Sequence, residues 1–111
     1  MKNNDSFYIE KIIDYCNIIE SLLNEYNNDY AVFQSSLSFQ LSTSMCIIQI
    51  EEYVSRLSDE YKNTHDNIPW KKIKGMRNFA THQYEHFEFD VLWYTITDEI
   101  PVLKQNLLLL L

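Results

Sequence analysis

The chain has 111 residues, of which 46% are hydrophobic and 23% charged, with a formal net charge of −7. That balance supports a packed core and excludes wholesale disorder, and the length fits one domain spanning residues 1–111. One glycine and two prolines exclude the turn-rich composition of all-β folds and suit a few long helices.

Charge is unevenly distributed. Residues 1–66 carry 4 basic and 11 acidic groups, whereas residues 67–84 carry Lys71, Lys72, Lys74 and Arg77 with no acid. Residues 85–111 return to acidity, with Lys104 against five carboxylates. A short basic segment set in an acidic body is the first hint of function. The start, MKNNDSFYIEK, lacks the apolar run of a signal peptide, and no stretch approaches the roughly 20 apolar residues that span a bilayer. A cytoplasmic location away from the membrane is therefore expected. Cys16 and Cys46 lie in amphipathic stretches with no nearby ligand pattern and read as reduced core residues.

In chain order, Ile9, Ile12, Cys16, Ile19, Leu23 and Tyr26 mark one face of a helix from about Asp5 to Asn27, capped by Asp5 or Ser6. Asn27-Asn28-Asp29 suits a turn and the next cap. A long second helix is predicted from about Tyr30 to Tyr61, with Phe33, Leu37, Leu41, Met45, Ile48, Val54 and Leu57 as its apolar positions. Its many serines are small enough for another helix to approach closely. Lys62 to Asn67 reads as a loop, and Pro69 marks the start of a third helix buried through Trp70, Ile73, Met76, Phe79 and Ala80. Gly75, the only glycine, lies inside that helix, where it costs about 1 kcal/mol relative to alanine. Close contact with a neighbouring helix, or room for a ligand backbone, would explain it. A fourth helix begins near Asp90, and Pro101 should kink it or restart it with Asp98 as cap. The five leucines from Leu107 to Leu111 exceed what a small bundle can cover, so part of that tail is expected to meet another chain. No Gly-rich phosphate loop or internal repeat occurs. The fold expected is all-α, an antiparallel bundle of four to five helices with a long second helix.

The chemistry concentrates in Arg77-Asn78-Phe79-Ala80-Thr81-His82-Gln83-Tyr84. An imidazole with a pKa near about 6.5 can take the proton of a ribose 2′-hydroxyl. A guanidinium can grip the phosphate and stabilise the charge that builds in the transition state. Lys71, Lys72 and Lys74 would hold neighbouring phosphates without reading sequence, unless they form only a solvated face. Asn78 and His82 share a helix face, but Arg77 lies about 140° from His82, so one intact helix does not bring the pair together. A site composed across two subunits, or a helix ending near His82, would resolve this. A rival pattern, His82-Gln83-Tyr84-Glu85-His86, matches the inverted zinc-protease motif H-x-x-E-H, but no third ligand beyond Glu99 follows it. No metal or cofactor is assigned.

The stretch resembles the HepT-like group of the HEPN superfamily, whose signature R-x4-H-x-Y reads here as Arg77, His82 and Tyr84, with Asn78 as the polar residue after the arginine. The similarity extends through residues 45–52, 57–60 and 68–70, then Trp93, Thr97 and residues 98–101. It implies a helical homodimer with a metal-independent ribonuclease site in which Arg77, Asn78 and His82 are catalytic. It also implies a partner, an MNT-type nucleotidyltransferase antitoxin, that attaches AMP to Tyr84. The alternative is a non-catalytic helical adaptor that only docks the nucleotidyltransferase.

Overall fold

The first helix, α1 (Asp5–Glu25), forms where the apolar spacing predicts it and buries Ile9, Ile12, Ile13, Cys16, Ile19 and Leu23. A computed structural model provides the coordinates; it describes residues 4–81 and 89–111, and within α5 the side chains only up to Met76. The helix cap is not the expected one. Asn4 holds the cap position without a side-chain bond, and Asp5 is buried. Its carboxylate accepts the Ser58 backbone N–H at 2.8 Å and the Ser58 hydroxyl at 2.7 Å. Asp5 thus fastens the start of α1 to a junction far along the chain. The helix ends at Asn27 and Asn28, whose φ angles of 59° and 51° lie in the left-handed region that asparagine tolerates. The Asn28 N–H closes the end by donating to the Leu23 carbonyl at 2.8 Å.

The long second helix is replaced by three: α2 (Tyr30–Ser35), α3 (Leu37–Arg56) and α4 (Asp59–Thr64). Side chains that satisfy helix ends explain both breaks. Asp29 caps α2 by accepting from the Ala31 and Val32 N–H groups. Ser36, extended at φ −103° and ψ 104°, accepts from the Phe39 N–H and so starts α3. Gln40 donates to the carbonyls of Phe33 and Gln34 that the break leaves without helical partners. At the second break, Leu57 turns extended and is buried, and Ser58 caps α4 through the Tyr61 N–H. The loop expected from Lys62 is therefore helical as far as Thr64.

Helix α5 (Trp70–Thr81) follows Pro69, whose carbonyl accepts from the Ile73 N–H. The Trp70 indole donates to the carbonyls of Lys62 and His65, anchoring α5 on the end of α4. Trp70 is thus a core anchor, as its place on the apolar face suggests. Helices α1 and α5 both pack along α3, and α5 returns antiparallel to it. Phe33 and Phe39, fully buried, meet Trp93 at ring-centroid distances of 5.3 and 6.3 Å, which ties α2 and α3 to α6 (Phe89–Tyr94). Cys16 and Cys46 are free and buried, and burial pushes their thiols up to about 12 and about 11.

Pro101 stands in the first turn of the last helix, whose cap position is Glu99, without a side-chain bond, and not the expected Asp98. A π-helical turn, Thr95–Glu99, joins α6 to α7 (Ile100–Leu108), and the Ile100 N–H donates to the Thr95 carbonyl. The wider turn relieves the clash between a proline ring and the carbonyl four residues earlier. Within the leucine tail, Leu107 is fully buried and Leu110 packs against the core, while Leu109 is 83% exposed. The fold is all-α among the described residues, an antiparallel helical bundle.

Asp5→Ala would leave the part-buried Ser58 N–H without its acceptor. We predict a loss of about 1–3 kcal/mol in urea unfolding, with helical circular dichroism retained before the transition. A loss below about 0.5 kcal/mol would show that the tie is not structural.

Candidate nucleic-acid interface

Helix α5 carries the basic segment because its apolar residues, Trp70, Ile73 and Met76, turn inward and leave the lysines outside. The three lysines are not equivalent. Lys72 forms an ion pair with Glu99 of the π-helical turn, and the same carboxylate accepts the Thr95 hydroxyl at 3.1 Å. Hydrogen bonding to Glu99, reinforced by its charge, raises the Lys72 pKa above the ordinary lysine value. Lys72 thus links α5 to the C-terminal arm, and its charge is partly committed there.

Lys71 and Lys74 are exposed and line a groove of 620 Å³ that also includes Lys62, Asn63 and Trp70. Two carboxylates, Asp59 and Asp66, share the groove, and Lys62 reaches Asp59 at 4.0 Å. The basic segment therefore meets a groove of mixed charge, not a uniformly cationic one. On the opposite flank of α5, a second groove of 440 Å³ lies between Lys72, Ile73 and Met76 and the arm residues Tyr94, Glu99 and Val102.

Gly75 has no heavy atom within 4 Å of the position a Cβ would take. Among the described residues, contact with a neighbouring helix, one of the two explanations for it, is therefore absent. Arg77 and Asn78 lie in the C-terminal half of α5, where the backbone is helical to Thr81. Their side chains, and all of His82, Tyr84, Glu85 and His86, fall outside the described residues, so the sequence motif is located but its side-chain geometry is not. The residue that sequence reasoning missed is Glu99. In the sequence it reads as a carboxylate within the similar segment 98–101, and nothing local to it signals a partner on α5.

The architecture is an antiparallel helical bundle with a basic helix flanked by two grooves. A family model described as "Ribonuclease HepT-like" matches residues 12–109, and the chain belongs to this family. Membership places it among the ribonucleases. It is 30% identical to a protein of Caldanaerobacter subterraneus subsp. tengcongensis named "Putative RNase", over 89% of this chain and 87% of that one. It is 28% identical to a "Probable ribonuclease HepT" of Thermococcus cleftensis, over 94% and 93% of the two chains. A "Putative RNase" of Methanocaldococcus jannaschii shares 25% identity over 95% of this chain and 85% of its own. No solved structure matches significantly. Among the described residues, no helix is long and apolar enough to cross a membrane.

The lysines separate by experiment. If Lys71 and Lys74 each neutralise an RNA phosphate, alanine at either should lower the slope of log affinity against log salt by about 0.7–0.9. Lys72→Ala should change it by less than half as much, because Glu99 already holds that ammonium. Equal slopes for all three variants would contradict the assignment.

Proposed function

We propose that this chain is the toxin component of a toxin–antitoxin pair, a metal-independent endoribonuclease acting as a cytoplasmic homodimer of a single HepT-like domain. The observation that carries the reading is the complete R-x4-H-x-Y motif, Arg77, His82 and Tyr84, inside the segment that the family model matches. His82 serves as general base toward the ribose 2′-hydroxyl, and Arg77, with Asn78 beside it, stabilises the phosphorane-like transition state. Lys71 and Lys74 hold flanking phosphates. Lys72, expected to do the same, competes for this role with its Glu99 pair. On one intact helix Arg77 and His82 would lie about 140° apart, and a site drawing on two subunits reconciles them.

Control runs through Tyr84. An MNT-type nucleotidyltransferase antitoxin transfers AMP to its phenolic oxygen, with pyrophosphate leaving ATP. The new phosphodiester places a negative charge beside the basic segment, where RNA phosphate would sit. The acidic body supports a second reading, in which the chain is a non-catalytic adaptor that only docks the transferase.

Arg77→Ala and His82→Ala should each lower RNA cleavage by at least about 100-fold, with folding cooperativity retained. Cleavage by the wild type should persist in excess chelator. Loss of activity in chelator, restored by zinc, would instead support the H-x-x-E-H reading. An inactive wild type that still binds the transferase would support the adaptor.

Intact mass after co-expression with the transferase should show added AMP on the wild type and none on Tyr84→Phe, a variant that keeps the ring. If Tyr84→Phe gains the same mass, or if modified wild type cleaves RNA undiminished, this mode of control is wrong.

A further inference from the structure

Tyr94, Asp98 and Val102 recur every four residues along the C-terminal arm and line the groove of 440 Å³ that separates it from α5. Its volume lies in the range of small-ligand sites. The floor is apolar, made by Ile73 and Met76 of α5 and Leu103 of α7, none more than 5% exposed. Tyr94 and Val102 are 55% and 60% exposed, so the arm offers an aromatic ring and a branched alkyl group to whatever enters. Asp98 lies between them. Among the described residues only the Thr97 hydroxyl bonds to it, at 3.0 Å on Oδ1, which leaves Oδ2 and a further lone pair of Oδ1 to accept. Glu99 is not free in that way, because Lys72 and the Thr95 hydroxyl already hold it. Tyr94, Asp98 and Glu99 all sit on or beside the π-helical turn, a backbone irregularity that recurs at functional sites.

We propose that this groove is a base-recognition subsite for RNA and that it takes guanine; the inference rests on the ribonuclease reading above. The purine lies against Tyr94 and Val102, and its N1–H and N2 amino group donate to the Asp98 carboxylate. Charge selects the occupant. A phosphate is unsuited to the groove, because its lysine is committed to Glu99 and a second carboxylate stands beside that pair. The nucleobase is the part of RNA that carries no charge, stacks on an aromatic ring and presents N–H donors. A carboxylate only accepts, so it favours an edge with two adjacent donors. Among the four bases guanine alone has such an edge on its Watson–Crick side. Uracil sets a carbonyl on each side of its N3–H, and the carboxylate opposes both.

The place of the groove ties it to the reaction. Met76, on its floor, is followed directly by Arg77, so a base resting there lies beside the helix turn that carries the first residue of the motif. Lys71 and Lys74 line the groove on the opposite flank of α5. A strand crossing α5 then has phosphates held on one flank and a base read on the other, which separates the contacts that position RNA from those that specify it. The Lys72–Glu99 pair neutralises one of two adjacent carboxylates, so the base meets a single acceptor charge.

The test uses the full chain and short oligouridines in which one internal residue is uridine, cytidine, adenosine or guanosine. Two readouts keep recognition apart from chemistry: the affinity for 2′-O-methyl versions, which lack the attacking hydroxyl, and the rate of cleavage of the unmodified ones. The guanosine oligonucleotide should bind at least about 10-fold more tightly than the all-uridine one, as a bidentate base contact does. Cleavage should fall beside the guanosine. Inosine, which lacks the N2 amino group, should lose part of the advantage, and it reads the contact on an unaltered protein. Asp98→Ala and Asp98→Asn should each reduce the guanosine-to-uridine ratio to below about 3-fold. Tyr94→Ala should weaken binding of the guanosine oligonucleotide by about 5-fold or more through lost stacking. Gln105→Ala, exposed in the groove between α7 and α1, should keep the wild-type ratio. Equal affinity for guanosine and uridine overturns the subsite, and so does a guanosine preference that survives the Asp98 and Tyr94 variants. A preference lost in those variants, in a chain that cuts no RNA, would sustain the subsite and refute the catalytic reading. Cleavage with no base preference would do the reverse. If the variants bind RNA as the wild type does but lose the transferase, the groove belongs to that protein and the inference fails.

Discussion

Helix α3 has to be buried by two neighbours at once, and most of the architecture follows from how that is done. Both α1 and α5 lean on one side of it, so their start points must be fixed relative to its ends. Two polar devices achieve this at the same end of the bundle. Asp5 grips Ser58 just beyond α3, and Trp70 bonds to the carbonyls at the end of α4. Neither device is hydrophobic. Apolar burial draws the helices together without direction, whereas these bonds specify where along α3 each neighbour begins.

The helical class and the inward faces of α1 and α5 were legible in the sequence because a period of 3.6 residues is a strong signal. In α1 the spacing named Ile9, Ile12, Cys16, Ile19 and Leu23, all buried, but not Ile13; in α5 Trp70, Ile73 and Met76 are buried as named, while the side chains of Phe79 and Ala80 lie outside the described residues. On α3 the face was misread, because Leu37, Leu41 and Met45, named as apolar positions, are exposed, and the buried side carries Phe39, Cys46, Ile47 and Ile50. The interruptions at Ser36 and Leu57 were not legible. A serine within an apolar pattern reads as a weak helix position, and only its bond to the Phe39 N–H, together with Gln40 reaching back to Phe33, turns it into a boundary. Asp5 misled for the same reason. Its residue type announced a cap, but its partner lay in another part of the chain. Lys72 reads from sequence as one of three equivalent lysines, and its pairing with Glu99 depends on a fold that local pattern cannot supply. Arg77, His82 and Tyr84 were found as a motif of residue types, which needs no geometry.

The charge distribution gains meaning once the helices are placed. An acidic protein is a poor ligand for RNA at long range, because its overall field opposes approach. The basic segment is concentrated on one helix, and one of its four cations is already engaged by Glu99. Binding would then depend on short-range contact, and salt would weaken it less than the raw count of cations suggests.

The π-helical turn has a consequence for the chain's end. An extra residue inserted into an α-helix ordinarily rotates everything after it by about 100° around the axis. Here the surplus is taken up where it occurs, between Thr95 and Glu99, by widening a single turn. Ile100, Leu103 and Leu107 consequently keep facing the core, although the path from α6 is one residue too long for a regular helix. In a tail made almost wholly of leucine, side-chain identity cannot tell inside from outside. The width of one backbone turn upstream decides which leucines are hidden and which meet the solvent.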